Sequence, residues 1–375
     1  MRVLQVIPQM ESSAGAETSL RAVDPLLVQA GFEIHLAVLT EHQNLVSDLV
    51  STGVEFHDLS GSSGAGQLRS LAQLIRRLRP DLVHASLLQA ALPNQLICPL
   101  LRVPVLVTWA NTSTAPEGEV SPWKHAVVRA ADTAAAALSR SRFHAVTQGV
   151  ADSKRAELHV GAKRVKVAER GRDPDRYRPC DDKQRLKMRA ALGISDPDDF
   201  VLLAVGRQEP QKDYPLLISA FDSAATTRPS LRLLIAGRKG SGTRDIESAL
   251  RRARHGDRVE LLGQRDDVPE LLGAADAVVC SSRREGAAGS LIEAMATGIP
   301  ILSVELDGLV GVLDNEVNSL VVAREELASG IIRMADDEEL RRRLADAAQS
   351  TFLQRFTVER SAEALAEVYR WAVGR

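Results

Sequence analysis

Residues 277–300 read AVVCSSRREGAAGSLIEAMATGIP, and a second β-branched run, Ile299–Val304, overlaps their end. A short apolar strand, Ala277–Ser281, gives way to a loop of small residues. A helix then opens near Ser290 and is stopped by Gly298 and Pro300. Strand, helix and strand in that order make a parallel pair joined by a right-handed crossover. The alternation continues in both directions. Upstream, Phe200–Val205, Leu231–Ala236 and Val259–Leu262 are strand-like, and so are Arg2–Pro8, Glu33–Thr40, Asp81–Ser86, Pro104–Trp109 and Arg142–Thr147. Between them, Glu17–Ala30 and Leu68–Leu78 place apolar residues three and four apart, as core-facing helices do. The expectation is an α/β protein with parallel sheets covered by helices on both faces.

The 375 residues suffice for two such domains. Turn and linker chemistry concentrates between Gly171 and Asp199, in Asp173-Pro174-Asp175, Arg178-Pro179 and Ser195–Asp199. A boundary there gives a first domain over 1–172 and a second over 173–356. Gly61–Gly66 reads as a loop within the first. No short internal repeat is present, and the halves look like two versions of one architecture. Open α/β sheets bind ligands at the carboxyl ends of their strands, so two domains facing each other bring both ligand edges to a shared cleft.

Lys and Arg number 47 against 49 Asp and Glu, a net charge of -2, with no basic excess to track nucleic-acid phosphates. Seven Phe, three Trp and three Tyr are too few for repeated base stacking. The three cysteines, Cys98, Cys180 and Cys280, form no C-x-x-C pair and no closed disulfide framework, which points to a reducing compartment and a cytoplasmic location. The opening run is too short for a secretory signal, and no window of about 18 apolar residues spans a membrane. The eight histidines lack metal-ligand spacing, so zinc is set aside and no metal is expected. Arg69–Arg79 and Val127–Arg142 mix basic and apolar residues. They fit either core-facing helices with solvated faces or peripheral contact at the inner face of a membrane. Arg251–Arg254 and Glu338–Arg343 read as solvated helix faces.

Chemistry concentrates in two loops. A helix N-terminus behind a small-residue loop offers unpaired N–H groups and the positive end of a dipole, a ready site for phosphate, here flanked by Glu285 and Glu293. The competing reading makes Ser290-x-x-Glu293 a capping box that only satisfies the helix's own start. The second loop follows strand Phe200–Val205 and carries Gly206, Arg207 and Lys212. Two cations at a sheet's carboxyl edge suit a diphosphate without magnesium, unless both are ordinary surface charges. A third stretch, Gln9–Glu17 with Ala14-Gly15-Ala16-Glu17, resembles a phosphate turn but lacks the full G-x-G-x-x-G. His84 and His144 lie in strand-like runs and read as packed residues.

In this order the features resemble the family-4 retaining glycosyltransferases. The Glu-x7-Glu pair Glu285/Glu293 and the Gly206-Arg207…Lys212 loop carry the resemblance. Weaker matches are Arg79-Pro80-Asp81-Leu82-Val83-His84, Val259–Gly263 followed by Arg265-Asp266-Asp267-Val268-Pro269, and Ala275-Asp276. The resemblance implies the GT-B fold, with two Rossmann-like parallel-sheet domains facing a central cleft. It also implies transfer of a sugar from a nucleotide-diphosphate sugar to an acceptor hydroxyl, without metal or other cofactor; uridine is the family's commonest base. By resemblance Arg207 and Lys212 clasp the diphosphate, while Gly289, Ser290 and Leu291 offer backbone amides to it. Glu293 binds the ribose, Glu285 contacts the sugar, and Gly263 to Arg265 border the base. Gly15 lets the first domain's loop approach the sugar and acceptor. Phe356-Thr357 and the helix through Tyr369 resemble the segment, here 357–375, that completes the first domain.

Departures fall mainly on the acceptor side. After Pro104–Trp109, Ala110 stands where many relatives have histidine, with Asn111 as a candidate substitute. Ala14 replaces a second glycine, Leu306–Gly311 lacks a customary glutamate, and Arg170-Gly171-Arg172-Asp173 stands where Asn-Gly-x-Asp is common. Two alternatives remain open from the sequence: a non-catalytic nucleotide-sugar-binding subunit on the same fold, and a sugar-nucleotide epimerase.

Overall fold

The computed structural model describes residues 1–10, 15–40, 50–61, 63–114 and 121–374. The chain divides into two compact units, 1–171 with 358–375, and 172–357.

The first unit is built on a parallel sheet of β1 (Arg2–Ile7), β2 (Glu33–Val38), β3 (Glu55–Asp58), β4 (Leu82–Ser86), β5 (Val105–Trp109), β6 (Arg142–Ala145) and β7 (Val165–Val167). Its order, β3-β2-β1-β4-β5-β6-β7, reverses direction between β1 and β4. The crossovers carry α1 (Gly15–Gln29), α2 (Gly64–Leu78), α3 (Leu88–Leu101), α4 (Pro122–Leu138) and α5 (Gln148–Leu158). Parallel strands are covered on both faces, so β1 and β4 bury nearly every side chain. The last helix of the chain is part of this unit, packing Val358, Ala362, Leu365 and Tyr369 against Ile7, Leu20, Val23 and Leu27.

Burying polar groups inside this sheet requires partners. Gln5, in the middle of β1, donates through Nε2 to Asp24 Oδ1 at 2.7 Å and to the Tyr369 hydroxyl at 3.1 Å. His84 Nδ1 lies 2.8 Å from that hydroxyl and its Nε2 lies 2.6 Å from Thr108 Oγ1, while His144 Nε2 is 2.8 Å from the Ala168 carbonyl. Burial pushes His84 down to about 3 and His144 down to about 4, so both are packed neutral residues.

Burial also pushes Asp24 up to about 7, with only Gln5 opposing the rise. Below pH 4 the carboxyl is protonated in the folded and unfolded states alike. Between pH 4 and 7 only the folded state keeps the proton, so stability falls as pH rises, and above pH 7 the cost is complete. Asp24→Asn removes that cost. The variant is expected to melt well above the wild type at pH 8, by on the order of 3–4 kcal/mol in stability, and close to it near pH 4. A wild-type-to-variant difference independent of pH would contradict the assignment.

The second unit repeats the plan with α6 (Asp182–Ala191), β8 (Phe200–Val205), α7 (Tyr214–Ala225), β9 (Leu231–Ala236), α8 (Thr243–Arg252), β10 (Val259–Gly263), α9 (Val268–Ala274), β11 (Ala277–Cys280), α10 (Gly289–Thr297), β12 (Ile301–Val304), β13 (Leu320–Val322), α11 (Leu327–Asp336) and α12 (Glu338–Thr351). The parallel order β10-β9-β8-β11-β12-β13 places its reversal between β8 and β11. Apolar layers lie on both faces: Phe221, Ile246 and Ile331 belong to one, Ile292, Met295 and Phe352 to the other.

The long strands fall where the sequence predicts them, within a residue or two. The strands β3, β7 and β13 are not predicted: β7 and β13 have only three residues, too few to show a period, and β3 (EFHD) carries a single apolar residue. Gly61–Gly66 is not a loop throughout, since α2 already starts at Gly64. Its first turn is hidden in small residues, and the helix is held by Leu71, Leu74 and Ile75, which are buried. That buried stripe gives Arg69–Arg79 the core-facing reading. Among the described residues no helix is long and apolar enough to cross a membrane.

Candidate active site

The loops leaving β8 and β11 meet at the point where the second sheet reverses, where open α/β sheets present ligand crevices. They are bound to each other along their length. The Arg283 N–H donates to the Gln211 carbonyl at 2.8 Å, and Gln211 Nε2 donates to the Arg284 carbonyl at 3.0 Å. Ser281 Oγ donates to the Lys212 carbonyl at 2.8 Å. Asp213 accepts from Arg283 Nε at 2.9 Å and also pairs with Arg324.

Two predicted residues form the centre. Lys212 Nζ donates to Glu285 Oε1 at 2.6 Å, and Ser282 Oγ donates to the same oxygen at 2.6 Å. The Glu285 side chain is 7% exposed and that of Lys212 20%. Burial lowers the Lys212 ammonium's pKa, but the Glu285 carboxylate, Tyr214 and Cys280 together leave the group raised above its ordinary value. Lys212 packs against Gly206, where a Cβ would come within 2.6 Å of Lys212 Cε and displace that side chain. Tyr214 supports the loop from below, donating through its hydroxyl to the Gly206 carbonyl at 2.8 Å. Arg207 lies on the same loop and is exposed.

The opening of α10 differs from the capping box. Its N-cap position is Ala288, no side chain caps the helix, and Glu293 faces elsewhere. Glu293 Oε1 accepts from Arg172 Nε at 2.7 Å, with both side chains largely buried. The guanidinium lies against Gly289 so closely that a Cβ there would land on Nη2. The Leu291 N–H already donates to the Ala288 carbonyl at 2.8 Å, which corrects the expectation that all three amides face a ligand. The N–H groups of Gly289 and Ser290 have no hydrogen-bond partner among the described residues, as first-turn amides do not. Asp213 and Ala288, the residues preceding α7 and α10, both hold left-handed backbone at φ of 47° and 40°.

The remaining predicted residues are dispersed. Gly263 ends β10 and its carbonyl accepts from the Gly237 N–H at 2.7 Å. Arg265 is held by Asp267, two residues on, through Nε at 2.7 Å. Gly15 is the first residue of α1 and Asn111 is exposed just beyond β5, both in the first unit. Ala14 lies outside the described residues. Sequence reasoning missed Arg172 as a partner of Glu293. The signal was present in the Arg170–Asp173 departure, but 121 residues separate the pair.

Two family models match the chain, "Glycosyl transferases group 1" over residues 185–351 and "Glycosyltransferase Family 4" over residues 13–176. The chain belongs to the family-4, group 1 glycosyltransferases. Among the relatives of this glycosyltransferase, the lipopolysaccharide core biosynthesis mannosyltransferase LpsB of Rhizobium meliloti is 30% identical over 53% of the chain and 58% of its own length. The D-inositol 3-phosphate glycosyltransferase of Saccharomonospora viridis is 32% identical over 56% of the chain and 50% of its own length. The chain thus matches between half and three fifths of those two proteins. Anabaena Alr3699/HepE, crystallised in complex with UDP and glucose, superposes with a TM-score of 0.84 at 20% identity, over 98% of this chain and 99% of that one. WaaG, a glycosyltransferase involved in lipopolysaccharide biosynthesis, gives 0.76 at 17% identity, with both chains fully covered. The fold of this glycosyltransferase is GT-B, made of two parallel-sheet α/β domains.

Proposed function

We propose that the protein transfers a sugar from a nucleoside-diphosphate sugar to an acceptor hydroxyl, keeping the anomeric configuration and using no metal. The observation that carries this reading is the Lys212–Glu285 pair, fixed by mutually bonded loops beside two unpartnered helix amides. A diphosphate lodged there meets Lys212 and Arg207 on one side and the Gly289 and Ser290 N–H groups on the other. Glu285 faces the sugar and Glu293, held by Arg172, faces the ribose. Anabaena Alr3699/HepE has been crystallised with UDP-glucose, which supports a uridine donor for a chain of this fold.

In the reaction the bond between the anomeric carbon and the phosphate oxygen breaks while the acceptor oxygen bonds to that carbon from the same face. The acceptor's proton passes to the departing phosphate oxygen, and a glycoside and a nucleoside diphosphate result. Negative charge grows on that oxygen, and preorganised cations and amides lower the barrier most where charge develops. The setting is the cytoplasm, at the inner face of a membrane: on α4 Trp123 and Val127 project into solvent on one face, with Lys124 Nζ 5.8 Å from the Trp123 ring.

A panel of nucleotide sugars tests this. In the presence of a chelator, one donor is expected to release nucleoside diphosphate slowly with water and faster with its acceptor. Proton NMR of the product is expected to show the donor's anomeric configuration. A donor that binds tightly and is never turned over would instead assign the chain as a binding subunit.

A further inference from the structure

In the first unit, parallel pairing of β2 with β3 puts His35 opposite Glu55 and Ala37 opposite His57. Glu33, His35, Glu55 and His57 therefore share one face, and the fourth paired position, Ala37, carries only a methyl group. His35 Nδ1 lies 3.1 Å from His57 Nε2 and 3.2 Å from Glu55 Oε2. One ligand atom from each of the three residues lies within 4.8 Å of the others. Four-coordinate zinc with bonds of about 2.0–2.1 Å spaces its ligand atoms about 3.3 Å apart. The two spacings from His35 are already close to that value.

The other nitrogen of His35 is held by a carboxylate: Nε2 lies 3.1 Å from Glu33 Oε1, which Arg2 Nε also contacts at 2.6 Å. With its ring proton on Nε2, donated to Glu33, His35 turns the Nδ1 lone pair towards Glu55 and His57, as a metal ligand does. A carboxylate that fixes the far nitrogen is the usual support of a metal-bound histidine. In that tautomer Glu55 Oε2 faces a lone pair, and a cation between the two would make the contact favourable.

We propose that His35, His57 and Glu55 bind a zinc-class divalent cation, with Glu33 orienting His35 and water as fourth ligand. The ion ties the edge strand β3 to β2. Only the fold assembles the site, because the two histidines stand 22 residues apart in the chain.

The test uses the full chain, stripped with a chelator and titrated with Zn2+ by calorimetry. One Zn2+ per chain is expected, at micromolar affinity or better. At a hundredfold excess over Kd the melting temperature is expected to rise by about 5–10 °C. Co2+ in place of Zn2+ is expected to give the intense visible bands of four-coordinate cobalt. His57→Ala and Glu55→Gln are each expected to weaken Zn2+ binding about 10-fold or more and to abolish those bands. The Glu55 side chain is 64% exposed, so Glu55→Gln leaves the core intact and decides the matter even if His57→Ala folds poorly. Zn2+ binding unchanged in Glu55→Gln, or no stoichiometric binding by the wild type, would overturn the site.

Discussion

Lys212→Ala is expected to lower donor turnover by about 100- to 1000-fold, the effect of removing one preorganised donor from a developing oxyanion, roughly 2.7–4 kcal/mol. The loss has two sources that experiment separates. One is the missing cation at the diphosphate. The other is Glu285, which is 7% exposed and, among the described residues, keeps only Ser282 as a hydrogen-bond donor once Lys212 is gone. An unpaired buried carboxylate costs stability, so the single variant also melts early. In Lys212→Ala with Glu285→Ala the orphaned charge is gone. That double variant is expected to regain much of the melting temperature and none of the turnover. Recovery of both would make the pair a structural bridge only, and the diphosphate assignment would be wrong.

Glu293→Ala is expected to give the largest change in stability. Arg172 is 7% exposed at its side chain and its Nε has Glu293 as its acceptor at 2.7 Å. Removing one partner of a buried ion pair costs up to about 3–5 kcal/mol. For a unit of this size that lowers the melting temperature by roughly 10 °C. The donor KM is expected to rise as well, because the ribose loses its acceptor. Glu293→Gln keeps an oxygen for Arg172 and is expected to fall between. Urea denaturation with donor titration on the same samples checks both effects. An unaltered midpoint in Glu293→Ala would show that Arg172 does not depend on this carboxylate.

The parallel α/β architecture was legible because fully buried strands are written as continuous apolar runs such as FVLLAV and helices as spaced ones. The places where chemistry gathers were legible too, since glycines and cations after strand ends mark a sheet's carboxyl edge. What escaped was the pairing of distant residues. Lys212 and Glu285, 73 residues apart, were each assigned to the donor, but their mutual ion pair depends on β8 lying beside β11. Glu293 has the spacing of a capping box from Ser290, yet Ala288 begins the turn and Arg172 takes the carboxylate. A local pattern cannot see a competitor 121 residues away. His35 and His57 stayed apart for the same reason, brought together by the short edge strand β3 that no period reveals.

The most direct measurement is a crystal structure of the protein with an unhydrolysed nucleoside-diphosphate sugar. The account predicts the diphosphate within hydrogen-bond distance of Lys212 Nζ and of the Gly289 and Ser290 N–H groups, with Glu293 at the ribose. A diphosphate bound at any other sheet edge, with Lys212 still turned wholly to Glu285, would contradict it.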